Sequence, residues 1–179
     1  MRFETENLLI RDTIYDDLEA FYEWERDPAV TEFFSIEDRQ SREELSRKYF
    51  SDLSDPHARQ FTVLSKNGKY IGRIVLADII EGWKGEIWRI YIADPALRGK
   101  GLGTEAMRCM MDYCFRELGL RRLYLDFYTG NPAEYMYRKL GFSEEGVLRN
   151  NCRKNGRLYD VHLMSMLSEE YFALYGAQE

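Results

Sequence analysis

Arg98-Gly99-Lys100-Gly101-Leu102-Gly103-Thr104 is the stretch whose reading decides the fold of this chain. It follows the β-rich run Glu86-Ile-Trp-Arg-Ile-Tyr-Ile92 and leads into a segment where Met107, Met110, Met111, Cys114, Phe115 and Leu118 recur at helical spacing. Glu105, Arg108, Asp112 and Arg116 line the opposite face, so the spacing predicts an amphipathic helix from Thr104 to Leu118 with its Met stripe in a core. A glycine-rich turn between a strand and a helix start gathers unpaired N–H groups at the positive end of the helix dipole, where an anion is favoured. Three alternating glycines let the backbone approach that anion closely.

Gly119 ends the helix, and Arg122-Leu-Tyr-Leu-Asp-Phe-Tyr128 returns as a strand beside Glu86 to Ile92 in a right-handed unit with parallel strands. A short helix follows Asn131-Pro132 and reaches Leu140, Gly141-Phe142 opens a strand, and Asn155-Gly156 turns a hairpin whose second strand runs from Tyr159 to Leu167, before a last turn of helix after Ser168. Upstream, Asn7 to Arg11 reads as a strand, Asp16 to Glu25 as a helix, and Ser41-Arg-Glu-Glu44 as the capping box of a second helix. Gln60 to Leu64 and Tyr70 to Ala77, joined through Asn67-Gly68, make an antiparallel pair. The expected fold class is α/β (α+β), a mixed, mostly antiparallel sheet of six to seven strands with helices on both faces.

With 179 residues, 45% of them hydrophobic, and no linker or repeat, the chain suits one domain over 1–179. Its apolar runs are broken by charges before the roughly 20 residues of a membrane span. The first residues carry no signal-peptide stretch, so a soluble cytoplasmic protein without a membrane partner is expected. Three cysteines, an odd number, argue for reduced thiols. His57 and His162 stand far apart without a ligand cluster, which speaks against a metal site and against a nucleophilic triad. Net charge is −6, yet residues 1–60 hold 8 basic against 16 acidic residues while the remainder is slightly basic. That split disfavours nucleic acid and suits a cation at one region and an anion at the other.

The loop lacks P-loop spacing. Gly101-Leu-Gly103-Thr-Glu-Ala106 does fit the dinucleotide pattern G-x-G-x-x-A, with Asp126 following 20 residues after Ala106. Against that reading, Ala93 to Lys100 intervene between the strand and Gly101, and antiparallel pairs precede the unit. A ligand-free turn would leave Arg98 and Lys100 as uncompensated charge at a helix N-terminus.

Ile92-Ala-Asp-Pro-Ala-Leu-Arg98-Gly-Lys-Gly101-Leu-Gly103-Thr resembles the Arg/Gln-x-x-Gly-x-Gly/Ala pyrophosphate loop of the GCN5-related N-acetyltransferase (GNAT) family. Asn131-Pro-Ala-Glu-Tyr-Met-Tyr137-Arg-Lys-Leu-Gly141-Phe142 resembles that family's second motif. Glu145-Gly-Val-Leu-Arg149 with Asn155-Gly-Arg-Leu-Tyr-Asp160 is similar to the branch of ribosomal-protein N-terminal acetyltransferases and spermidine acetyltransferases. The resemblance covers nearly the whole chain.

What the resemblance implies is a single N-acetyltransferase domain that moves an acetyl group from acetyl-CoA to a primary amine by direct attack. The cofactor would lie where the central parallel strand pair splays apart. Gly99, Gly101, Gly103 and Thr104, with Leu102 between them, would hold the pyrophosphate, and Arg98 and Lys100 would add charge. Backbone groups of Tyr91 and Ile92 would pair with the pantetheine arm and polarise the carbonyl. Tyr137 matches the family's tyrosine, the acid that protonates the departing thiolate, and Glu86 matches an acid at the central strand that deprotonates the amine. Asp126 is the second candidate base. Asn131 sits one residue closer to Tyr137 than the family pattern places it. Trp88 is expected mainly in core packing, although with Tyr91 it is also a candidate for the acceptor pocket. Glu32, Phe33, Phe34, Glu37 and Asp38 mark the acceptor region, where acid and aromatics suit a polyamine, an aminoglycoside or a basic peptide N-terminus. A homodimer stays open, as dimers are common among similar proteins. A non-catalytic CoA-binding sensor is the alternative from another class.

Overall fold

Among the described residues eight strands form one sheet, β1 (Arg2–Glu4), β2 (Leu8–Asp12), β3 (Arg59–Ser65), β4 (Tyr70–Ile80), β5 (Lys84–Ile92), β6 (Arg122–Tyr128), β7 (Ser143–Lys154) and β8 (Arg157–Leu167), in spatial order β1-β2-β3-β4-β5-β6-β8-β7. The coordinates are a computed structural model, and residues 1–34 and 41–176 are described. All neighbouring pairs are antiparallel except β5 and β6. That single parallel pair matches the strand–helix–strand unit read from the sequence. The strand beyond the expected number is β1, whose three residues are too few to show a period.

Among the described residues six α-helices cover the faces: α1 (Leu18–Trp24), α2 (Pro28–Thr31), α3 (Arg42–Ser54), α4 (Leu102–Asp112), α5 (Ala133–Leu140) and α6 (Ser168–Tyr175). On one face α4, α5 and α6 bury the expected Met stripe with Ile10, Phe61, Ile74, Ile87, Leu125 and Met164. On the other, α1 and α3 pack Leu18, Phe21, Leu45 and Tyr49 together. The capping box at Ser41 forms in both directions, Glu44 N–H to Ser41 Oγ at 3.1 Å and Ser41 N–H to Glu44 Oε2 at 2.7 Å.

Two helix boundaries move. The expected helix from Asp16 begins as a 3₁₀ turn, Tyr15–Asp17, because the buried Asp17 carboxylate takes Arg11 at 2.7 and 2.8 Å, Thr62 Oγ1 at 2.6 Å and Ile14 N–H at 3.0 Å. The helix expected from Thr104 starts two residues earlier, at Leu102, because Gly101 takes the left-handed conformation of a cap, φ +83°. Its last part, Tyr113–Glu117, widens into a π turn that keeps Cys114 and Phe115 in the core.

The feature that shapes the site is a bulge in β5. Val75 pairs with Arg89 and Leu76 with Ile87, so Trp88 is an extra residue with no partner on β4. Directly paired residues share a face. Glu86, Arg89 and Tyr91 consequently share the face of Ala77, Val75 and Arg73, while Ile87, Ile90 and Ile92 face the α4 side. Uninterrupted alternation would have set Glu86 opposite Arg89. Trp88, expected mainly in core packing, is 37% exposed, its ring 5.2 Å from Lys48 Nζ of α3 and 4.4 Å from the Arg89 guanidinium.

Candidate active site

β5 and β6 pair only through Lys84, Gly85 and Glu86 against Arg122, Leu123 and Tyr124. Past Glu86 the two strands share no further pairing, and the bulge at Trp88 follows directly on β5. Ile87 to Ile92 therefore present toward β6 a backbone edge without a strand across it, among the described residues. The glycine loop lies at the end of this opening. Gly99 and Gly101 have φ of +71° and +83°, which only glycine adopts without strain. Leu102, Gly103 and Thr104 begin α4, so their N–H groups have no intrahelical acceptor. A Cβ built on Gly99 or Gly101 would meet nothing within 4 Å, so the space before these donors is open. The residues present therefore fit a pyrophosphate. α4 is held in this pose by Glu105, whose carboxylate accepts Asn7 N–H at 2.7 Å and Asn7 Nδ2 at 3.0 Å.

Arg98, expected to add charge at the loop, holds its guanidinium against backbone carbonyls. Its guanidinium donates to the carbonyls of Ile92 at 3.2 Å, Ala93 at 3.5 Å and Ala29 at 3.0 Å, and its own N–H is taken by Pro95 O. The side chain thereby braces the loop against β5 and α2. Lys100 is the exposed cation left at the loop.

Glu86 occupies the apex of the opening, half-buried. Burial, and then the charges of Asp126 and Asp78, push its carboxyl up to about 7, with Lys84 pulling the other way. Asp78 accepts Tyr124 Oη at 2.5 Å and pairs with Lys84. Asp126 shares this face of β6, exposed at its rim, and desolvation raises its carboxyl also. Three carboxylates thus gather on one wall.

Tyr137 lies on α5, 7% exposed, with its ring 5.7 Å from Phe127 and 6.3 Å from Phe142. Burial and then the Asp126 charge push its hydroxyl up to about 12, so it carries its proton at neutral pH. Asn131 uses its side-chain oxygen on Ala133 N–H, 2.9 Å, to start α5.

The face of the sheet carrying Glu86 holds a network that the sequence does not reveal. Glu25, 2% exposed at the end of α1, accepts Arg73 Nη1 at 2.7 Å, Arg89 Nη1 at 3.0 Å and Tyr91 Oη at 3.0 Å on one oxygen. Burial pushes this carboxyl up, but Arg89 and Arg73 outweigh it and hold it below the ordinary range. Tyr91 is thereby fixed through its side chain, leaving its backbone on the open edge. Nothing in an acidic, amphipathic helix marks Glu25 among its neighbours, although Arg73 and Arg89 inside apolar strands are a signal that a buried anion must exist.

α2 closes this side. Asp27 Oδ1 caps it at Ala29 N–H, 2.9 Å, Val30 packs on Tyr91 and Ala93, and Lys154 from the tip of the β7–β8 hairpin donates to Thr31 O. Phe34 lies 5.3 Å from the Tyr91 ring. Glu32 is exposed and Phe33 half-buried, while Glu37 and Asp38 lie outside the described residues. A surface hollow of about 460 Å³ lined by Phe3, Glu105, Arg108 and Cys109 lies against α4 and shares no residue with the cleft.

The open mixed sheet parts at one parallel pair, with a glycine-rich helix N-terminus at the mouth and a carboxyl raised to about 7 at the apex, an arrangement suited to an acyl-transfer enzyme. Residues 7–143 match the family model of the acetyltransferase (GNAT) domain, and the chain belongs to the GNAT family, enzymes that draw on acetyl-CoA. It is 32% identical over 159 residues to spermidine N(1)-acetyltransferase of Escherichia coli K12, covering 88% of this chain and 84% of that protein. It is 30% identical over 156 residues to the spermidine N(1)-acetyltransferase of Vibrio cholerae, covering 87% and 90%. The crystal structure of a spermidine N-acetyltransferase from Vibrio cholerae in complex with CoA and spermine superposes with a TM-score of 0.85 at 29% identity, over 94% of this chain and 99% of that one. Of the branch expected from the sequence, these relatives represent the spermidine acetyltransferases. The dinucleotide reading fails on the sheet, which has one parallel pair where that fold stacks several. No helix among the described residues is long and apolar enough to cross a membrane.

Proposed function

We propose that the protein transfers an acetyl group from acetyl-CoA to a primary amine of a polyamine, by direct attack with both substrates bound. One observation carries this reading: Glu86 stands at the apex of the opening with a carboxyl at about 7, among Asp78 and Asp126. A free alkylamine has a pKa of roughly 10.4 and arrives charged. The three carboxylates attract that ammonium, and Glu86, directly or through water, accepts the proton that must leave before attack. A long amine with several charges suits a wall on which acids are spread along β4, β5 and β6 more than it suits a single carboxylate.

Acetyl-CoA, when bound, supplies the acetyl thioester. Gly99, Gly101, Leu102, Gly103 and Thr104 would hold its pyrophosphate through backbone N–H groups, with Lys100 adding charge. The open edge of β5, Tyr91 and Ile92 included, would pair with the pantetheine arm. N–H groups on that edge would polarise the carbonyl under attack. Tyr137, which keeps its proton up to about pH 12, would give it to the departing sulfur. Asn131, engaged in capping α5, keeps only its amide nitrogen for the cofactor. The presence of Glu86 beside the opening favours turnover over a CoA sensor.

Calorimetric titration with acetyl-CoA, CoA and NAD, followed by thiol release with spermidine, an aminoglycoside and a basic peptide, tests the proposal. Acetyl-CoA should bind and NAD should not, and spermidine should release thiol fastest. Binding without release from any amine would favour the sensor, and failure of acetyl-CoA to bind would end the transferase reading of this site.

A further inference from the structure

We propose that Arg98 is a positioning residue that couples occupation of the glycine loop to the acceptor wall of the cleft, acting through α2. The inference rests on the reading of the site given above. α2 has four residues, too few for a helix to hold itself together. Its place depends on its ties: the Asp27 cap, Val30 against Tyr91 and Ala93, Lys154 on Thr31 O, and Arg98 on Ala29 O at 3.0 Å. Two cations thus meet the carbonyl end of a single turn, where the dipole favours them.

Arg98's tie is the one rooted in the glycine loop. The residue stands directly before Gly99, and its guanidinium spans from Ile92 O and Ala93 O on the donor side to Ala29 O on the other. From α2 the contacts run on to the acceptor wall. Phe34 lies against the Tyr91 ring and 5.4 Å from the Arg89 guanidinium, and that guanidinium stands 4.4 Å from the ring of Trp88, two residues from Glu86. An anion that orders the backbone from Gly99 to Gly101 also fixes the root of the Arg98 side chain, and the side chain carries that order to α2. Donor and acceptor sites are then linked reciprocally, since any coupling of two binding equilibria works in both directions.

The backbone N–H groups of Val30, Thr31 and Glu32 report on α2 because they close onto Asp27 O and Pro28 O. Hydrogen exchange at these amides, measured with and without saturating CoA, tests the coupling without turnover and without an acceptor. In the native protein CoA should slow exchange in α2 several-fold. In R98M, with CoA binding verified by calorimetry, that slowing should vanish. If R98M exchanges faster but is slowed by CoA by the native factor, Arg98 is merely structural and the inference is overturned. Arg98→Lys keeps the charge but cannot span the carbonyls of Ile92, Ala93 and Ala29 at once, so it should reduce the slowing even if R98M does not fold, and an undiminished slowing in R98K also overturns the inference. Absence of CoA binding to the native protein removes the reading of the site and this inference together, whereas CoA binding with unchanged exchange removes the inference alone.

Discussion

Asp126 stands two positions along β6 from Tyr124, the residue paired with Glu86, and on the same face of the sheet. After burial, its charge is the largest cause that raises Glu86 to about 7. If Glu86 is the base, kcat/KM for the amine rises with pH through a limb near 7. Asp126→Asn removes one repelling charge and should move that limb to lower pH, while Glu86→Gln should abolish it.

The same shift sets a stability slope. The native state holds the Glu86 proton more tightly than the unfolded chain, whose glutamate titrates near 4.5. The stabilisation is therefore complete below pH 4.5 and is lost as pH rises toward 7. Glu86→Gln should flatten the fall of Tm over that window, measured by calorimetry in matched buffers.

Tyr137→Phe keeps the ring that packs on Phe127 and Phe142 and deletes only the hydroxyl. We expect kcat to drop by about 10²- to 10⁴-fold, the usual worth of a positioned acid. Affinity for CoA, read by calorimetry, should change little. An equal loss in both would place the residue in binding instead.

Glu25→Ala leaves Arg73 and Arg89 buried without their counterion. Breaking such a cluster from one side costs about 3–5 kcal/mol. Urea unfolding should show that loss, and Glu25→Gln, which still accepts a hydrogen bond but carries no charge, should lose less.

Gly101→Ala forces a side chain into φ +83°, at a cost of about 1–2 kcal/mol. The added methyl meets nothing in the protein. A fall in CoA affinity greater than the fall in stability would therefore report the anion approaching the loop itself.

The elements read from the sequence are those whose signal is local and repeated. The Met stripe of α4 spans several turns, and the Asn155-Gly156 hairpin forms with φ of +49° and +77°, as those residues permit. The parallel β5–β6 pair follows from the helix between them. The rest depends on relations between distant residues. Arg98 belongs to the loop motif, yet its partner Ala29 lies 69 residues away and offers only a carbonyl, which any residue has. Glu25 looks like its acidic neighbours until Arg73 and Arg89 are folded onto it. Tyr137 stands in a sequence motif, while the packing that buries it required the fold.

Trp88 is one residue more than the β4–β5 ladder can use. Removing it would leave Ile87 opposite Leu76 and Arg89 opposite Val75, in the pairing they already hold, and no other side chain would change sides. The sheet is thus indifferent to a deletion at this point, although internal deletions in strands ordinarily scramble everything that follows. A protein lacking Trp88 would keep the β4–β5 register on both sides of the bulge and give up only the ring that lies against Lys48 and Arg89, which separates, in a single change of length, the part of β5 that builds the sheet from the part that lines the cleft.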